Sequence, residues 1–350
     1  MRLTTRHITG LVVAALLIAS PSLIAGVLAQ GSGSGDEMAD DEAGGGEEAE
    51  APDAPAVPVK PRPADIMPLA AGSMLLDVQK FDSRYVAVGD RGTIVLSANA
   101  VDWKQTPVPV RAMLTSVHFP DAQHGYAVGH DSVILATSDG GATWALQQFK
   151  PEWEKPLLDV LFLDAKRGFV IGAYGLFQKT TDGGASWSEV DAPSISEDEL
   201  HLNAIRRLND GRFLLIGEEG MLAVSTDEGA TWQRLESPYA SSLFGAVPFG
   251  ERGAVIHGMR GNVFVSTDVG QAEWRKLKTG SVQSMFGGTV LADGRIALVG
   301  VNGVIFVIDA DGNVKLDKTE TGTPLSAAIA FEKGLLAVGE SGVQTVKALQ

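Results

Sequence analysis

From Leu75 to the end of the chain, short apolar runs alternate with polar turns at a repeating interval. The clearest run ends in glycine. It recurs as Ala87-Val88-Gly89, Ala127-Val128-Gly129, Val170-Ile171-Gly172, Leu215-Ile216-Gly217, Ile256-His257-Gly258, Leu298-Val299-Gly300 and Ala337-Val338-Gly339. The intervals between these glycines are 40, 43, 45, 41, 42 and 39 residues. An apolar anchor precedes each run: Leu75, Leu114, Leu157, Leu202, Leu243, Met285 and Leu325. The anchor lies 15 residues upstream in the five middle copies and 14 in the first and last. Seven copies held in one register are a structural repeat.

Each copy reads as four strands. The first starts at the anchor, and the second ends at the glycine. A turn follows, closed by Gly92, Gly175, Gly220, Gly261, Gly303 or Gly342, with Ser132 in copy two. Glycine there supplies a positive φ. The third strand is almost continuously apolar, as in Thr93-Ile94-Val95-Leu96 and Val304-Ile305-Phe306-Val307, so both its faces are covered. The fourth follows a tryptophan. Four-stranded units of this length predict an all-β fold, a seven-bladed β-propeller, because helical repeats would show a 3.6-residue period.

A second motif joins the third and fourth strands. It reads Thr137-Ser138-Asp139-Gly140-Gly141-Ala142-Thr143-Trp144 in copy two, with close matches at Thr180 to Trp187 and Ser225 to Trp232. Copy five keeps Asp268 and Trp274. This is the Asp-box of BNR-type repeats. Asp139, Asp182, Asp227 and Asp268 are expected to accept hydrogen bonds from their own turns. Trp144, Trp187, Trp232 and Trp274 are expected to pack beneath them. Carboxylates on separate turns do not converge on one cation, so no metal is expected.

The last copy ends soon after its third strand. Ile66-Met67-Pro68-Leu69, just ahead of the first copy, is apolar and of strand length. It is expected to serve as the outer strand of the last blade and latch the ring, which places the propeller at 66–350. Proline suits such an edge strand.

The N-terminal part has another character. Arg2, Arg6 and His7 precede an apolar run from Ile8 to Ala29, which reads as a signal peptide over 1–29 cleaved after Ala29. An uncleaved signal anchor is the alternative. Residues 30–65 form an acidic Gly/Pro-rich linker, expected to be disordered; nine carboxylates precede its first basic residue, Lys60. The chain is therefore expected to be exported, to the periplasm or the lumenal, outer side of an inner membrane. The net charge of −15 argues against nucleic acid as a partner. The lack of any cysteine excludes a disulfide scaffold, a thiol nucleophile and a Cys-ligated metal.

The pattern Leu-x-x-Val…Ala-Val-Gly-x-x-Gly…Thr-x-Asp-Gly-Gly-x-Thr-Trp is clearest from Leu114 to Trp144 and from Leu157 to Trp187. Through it, the region from Ile66 to Gln350 resembles the photosystem II stability/assembly factor family of seven-bladed propellers. The resemblance implies a non-enzymatic scaffold that needs no cofactor and helps membrane subunits assemble. Bacterial relatives of this type are associated with RND-type exporters, so the implied partner is a membrane protein subunit or a transporter. The acidic linker and the weak motifs in copies one and six depart from the photosynthetic pattern.

Asp-box propellers also include sialidases, so an envelope glycan-binding or glycan-cleaving propeller is the alternative. Its site needs an arginine triad and a tyrosine activated by a carboxylate. The chain has four tyrosines, and Tyr85 and Tyr126 occupy matching packing positions. His118, His124 and His130 fall on a strand, a turn and another turn, too far apart in role to share a metal. The preferred site is the face where the turns after the second strand meet the inter-blade connections. Arg91, Arg111, His130, Trp153, Tyr174, Tyr239 and Arg260 fall there, residue types that anchor protein interfaces. The hub is expected to carry no chemically active groups, and the protein to be a monomer.

Overall fold

The computed structural model describes residues 59–347 and Leu349. The expected leader, its cleavage point and most of the linker lie outside the described residues. The rest is an all-β ring of seven antiparallel sheets, six of four strands and one of three, each in simple meander order. The repeat maps directly onto it: the inner strands begin at Leu75, Leu114, Leu157, Leu202, Leu243, Met285 and Leu325.

The apolar pattern explains the ring. Second and third strands are buried on both faces, because each blade is sandwiched between two others. The core divides into seven layers, one per interface between blades. The layer that closes the ring packs Leu336 and Val338 of blade seven on Val78, Tyr85 and Val95 of blade one. Each fully buried Leu, Ile or Val contributes about 1.5–3 kcal/mol relative to exposure.

The glycine that ends each second strand has a specific cause. A Cβ at Gly89, Gly129, Gly172, Gly217, Gly258, Gly300 or Gly339 would overlap the carbonyl of the residue just before the inner strand of its own blade. That same carbonyl accepts a bond from the N–H of the following residue, as in Asp90 to Met74 at 3.0 Å and Glu218 to His201 at 2.9 Å. Close approach, rather than left-handed backbone, fixes glycine here. The turns beyond it are 3₁₀ in five blades. Arg91, Asp131, Tyr174, Glu219, Arg260 and Asn302 at their tips take positive φ, in addition to the closing glycines.

The latch differs from the sequence expectation. Ile66–Leu69 forms no strand, and blade seven stays three-stranded. The Gln105 side-chain amide captures this stretch instead. It accepts from Met67 N–H at 2.7 Å and donates to the Asp65 carbonyl at 3.0 Å. Met67 then turns back, with Ala70 N–H donating to its carbonyl. The ring closes through the turn Ala70–Gly72, whose Ala71 carbonyl lies over Gly342 as inter-blade connections do over the turns of other blades. Ala64 and Asp65, assigned to the linker, already touch the ring through Val108 and Arg111.

Candidate functional site

The ring has two faces of different construction. On one, the Asp-boxes brace themselves as expected. In each of the three full copies one carboxylate oxygen accepts a backbone N–H (Thr143, Ser186 or Thr231, each at 2.9 Å) and the other accepts that residue's hydroxyl. These side-chain and backbone bonds pull Asp139, Asp182 and Asp227 down to about 2. Asp268 is used differently: it caps a 3₁₀ turn and pairs with Arg212 at 3.0 Å and Arg252 at 2.8 Å. Trp144 and Trp187 sit edge-on to Phe119 and Phe162, and Trp232 to Phe177. Trp274 packs on the layer between blades four and five.

The opposite, loop face gathers all seven residues named from the sequence. Arg91 is 65% exposed and held at 3.4 Å by Asp90 of its own turn. Arg111 pairs with Asp65 at 3.2 Å. Arg260 is exposed and forms no ion pair among the described residues; its backbone N–H donates to Ser284 Oγ. Trp153 is 37% exposed on the short turn Pro151–Trp153, with Lys150 Nζ 5.8 Å from its ring. His130, Tyr174 and Tyr239 are half-buried braces. Burial lowers the His130 pKa. Tyr174 sits edge-on to His201 at 4.9 Å, and Tyr239 OH donates to the Met259 carbonyl at 3.4 Å. The seven therefore form an arc from blade one to blade five rather than one pocket. The tyrosines do not assemble a sialidase-like centre. Tyr85 faces Phe331, and Tyr126 stacks on Phe162 with its phenol, pushed up to about 12 by burial, bonded to the Ala165 carbonyl.

The hub departs from expectation. Every inner strand has a bulge next to its anchor. The residue two places after the anchor is Asp77, Ser116 and Asp159 in blades one to three, then Ala204, Gly245, Gly287 and Ala327. Ser116 Oγ lies 2.8 Å from Asp159 and 3.1 Å from Asp77. Asp159 also accepts from Ile205 N–H and the Arg206 guanidinium. Asp77 accepts from Val78 and Val117 N–H. Burial pushes Asp77 up to about 6, and pushes His118 and His257 down to about 4. At the mouth of the channel, the half-buried bulge residues Phe244 and Phe286 lie 5.5 Å apart. Aligning the repeats on their anchors would have exposed both positions.

The three histidines named from the sequence separate as their strand and turn positions required: His118 at the hub, His124 against Asp121, and His130 on the loop face. Among the described residues, no group of three His, Cys, Asp or Glu side chains could hold a metal ion.

A family model described as photosynthesis system II assembly factor YCF48 matches residues 95–157 and 145–313, more than half of the chain. Fifty residues are 40% identical to the chloroplastic photosystem II stability/assembly factor HCF136 of Cyanidioschyzon merolae, covering 14% of this chain and 11% of that one. Fifty-four residues are 37% identical to its counterpart in Guillardia theta, covering 15% and 14%. These matches span only a small part of the curated relatives' length. Among solved structures, YCF48 bound to D1 peptide superposes with a TM-score of 0.65 at 16% identity, over 85% of this chain and 97% of that one. YCF48 from Cyanidioschyzon merolae gives 0.62 at 15% identity over 80% and 96%. An ancestral GH74 enzyme gives 0.64 at 14% identity, over 81% of this chain and 46% of its own. At such identities the superpositions establish the fold alone.

Proposed function

The chain belongs to the YCF48 family of photosynthesis system II assembly factors, and on that premise we propose that it is an exported, non-enzymatic scaffold that holds a segment of a membrane protein on its loop face. The observation that carries this reading is the arc itself. A ring of turns, each pinned to its own blade by the carbonyl beneath a glycine, presents Arg91, Arg111, Trp153 and Arg260 to solvent on one rigid face. A relative with the same fold has been solved with a D1 peptide bound. Rigid turns cost little entropy on binding, and exposed Arg and Trp supply the anchors.

The leader supports export to the periplasmic or lumenal side, where a tethered ring can reach the exposed loops of a partner. The partner class we favour is a polytopic membrane protein, an RND-type exporter in a non-photosynthetic host. Arg260, exposed and without an ion pair among the described residues, fits a carboxylate in the bound segment.

The test is the double variant Arg91→Glu, Arg260→Glu. Both side chains are exposed turn tips, so thermal stability should stay within about 0.5 kcal/mol of the parent. Recovery of the membrane partner from detergent-solubilised envelopes should fall about tenfold or more. Unchanged recovery would reject the loop face as the site. Turnover of a fluorogenic sialoside at enzymatic rates would reject the non-enzymatic reading.

A further inference from the structure

The channel through the hub holds hydrogen-bond donors that the ring itself does not use. In the polar tie of blades one to four, every carboxylate oxygen already accepts. Asp77 takes the Val78 and Val117 N–H groups. Asp159 takes the Val160 and Ile205 N–H groups and the Arg206 guanidinium, and Ser116 lies between the two acids. What stays open is on the donor side. Arg206 directs Nη1 to Asp159 and to the Ile205 carbonyl. Its Nε and Nη2 have no partner among the described residues, and its side chain is 41% exposed to the channel. His118 Nδ1 accepts from Phe162 N–H at 3.2 Å, which leaves the ring proton on Nε2, also without a partner among the described residues. A guanidinium with two adjacent free nitrogens matches a carboxylate, which engages both at once.

The charges in the channel permit this. Arg206 offsets Asp159. Burial raises Asp77 to about 6, so it mostly carries its proton at pH 5.5, and burial pushes His118 and His257 down to about 4, so both are neutral there. Blades six and seven add no titratable side chain at this level. Their inner strands carry Gly287, Gly288, Ala327 and Ala328. Gly287, Gly288 and Ala327 are half-exposed, so that side of the channel is bounded by backbone rather than filled by side chains. Nearer the mouth the lining is apolar. Phe244 and Phe286 lie 5.5 Å apart, and Leu76 and Leu158, also half-buried, hold the equivalent bulge positions of blades one and three. Arg206 sits three positions further along its strand than those bulges do along theirs, at most about 10 Å deeper.

We propose that the hub channel binds a small apolar carboxylate. The carboxylate bonds Arg206 Nε and Nη2, and the apolar tail reaches back to Phe244 and Phe286. An apolar cavity with one or two well-placed polar groups is the usual construction of a small-molecule site. It lies inside the ring, apart from Arg91, Arg111 and Arg260, so its failure would leave the loop-face reading standing.

The experiment titrates the full chain with hexanoate at pH 5.5 and follows the Arg206 Nε–H signal by NMR. Saturable binding at about 1–10 mM is expected, with a shift of that signal. Hexan-1-ol keeps the tail and loses the charge; it should bind about tenfold more weakly. Arg206→Gln should weaken hexanoate binding about tenfold as well, with a melting curve to show that the ring is intact. Should that variant not fold, the alcohol comparison on the unaltered chain decides. The last residue of a polypeptide presents the same groups, so acetyl-Ala-Ala-Leu is titrated as the free acid and as the C-terminal amide. Binding of the acid alone, tighter than hexanoate, assigns the site to a chain end; binding of hexanoate without the tripeptide assigns it to a free acid. Equal binding of the alcohol would overturn the proposal. So would unchanged affinity in a folded Arg206→Gln chain, or no saturable binding of either acid at about 10 mM.

Discussion

The two halves of the hub solve one problem in two ways. In blades one to four the inner strands are tied by side chains: Asp77 to Val117, Ser116 to Asp159, and Asp159 to Ile205 and Arg206. From blade five onward the same position carries Gly245, Gly287 and Ala327, and close backbone packing takes over, joined by the buried His257 ring 3.0 Å from the Met285 carbonyl. Gly245 leaves the space that the His257 ring fills, and Gly287 lies against the Ser326 carbonyl and the Ala327 Cα of the next blade. The repeat thus prescribes the backbone but not the means of joining neighbouring strands. One half is joined by hydrogen-bonded Asp and Ser side chains; the other is close-packed, with no room for a Cβ at Gly245 or Gly287.

Substitutions can break this contrast, beginning with the close-packed half. Gly287→Val places a branched side chain where even a Cβ overlaps backbone. It should cost about 3 kcal/mol or more, or prevent folding, as read by chemical denaturation. In the polar half, Asp159→Leu strands the Arg206 guanidinium. Losing one partner of a buried pair costs about 3–5 kcal/mol. Arg206 is 41% exposed to the channel, so about 2–3 kcal/mol is expected after that discount. Adding Arg206→Met should restore most of the loss; no recovery would mean that the carboxylate acts through its backbone bonds alone.

The smallest effect sharpens the contrast rather than breaking it. Asp77 binds its proton more tightly folded than unfolded, because burial raises it from 3.8 to about 6. Between those values the folded state holds more protons, so this residue's contribution to stability falls as pH rises from about 4 to about 6. Asp77→Asn should flatten that segment of the stability profile. The Asp-box carboxylates act in the opposite direction. They lie near 2 when folded, and their contribution is lost as pH falls below 4 toward 2. An unaltered slope between pH 4 and 6 in Asp77→Asn would remove Asp77 as its source.

Much of this could be read from residue order. The seven glycines, the anchors and the Asp-boxes are local and periodic, and each reports a contact within one blade. The polar tie at the hub was not read because its partners lie about one whole repeat apart, as Asp77 and Val117 do, and meet only once the ring exists. The closing strand was misread for a related reason. Ile66–Leu69 has the composition of an edge strand, but a side chain 38 residues downstream, Gln105, mimics a strand's donor and acceptor and takes the segment first. The seven loop-face residues all lie on turns and connections of one face, yet three of them, His130, Tyr174 and Tyr239, are half-buried. Exposure depends on which neighbouring connection covers a turn, and the repeat pattern does not encode it.

The glycine seated under a carbonyl in every blade has a consequence for change over time. It fixes the height and direction of each loop before the tip residues are reached, so the tips are free to drift. Arg, Asp, Tyr, Glu and Asn already occupy equivalent tip positions without altering the frame. A new specificity can therefore be written into one loop at a time, and foreign loops grafted between the end of a second strand and the start of a third should inherit the same mounting.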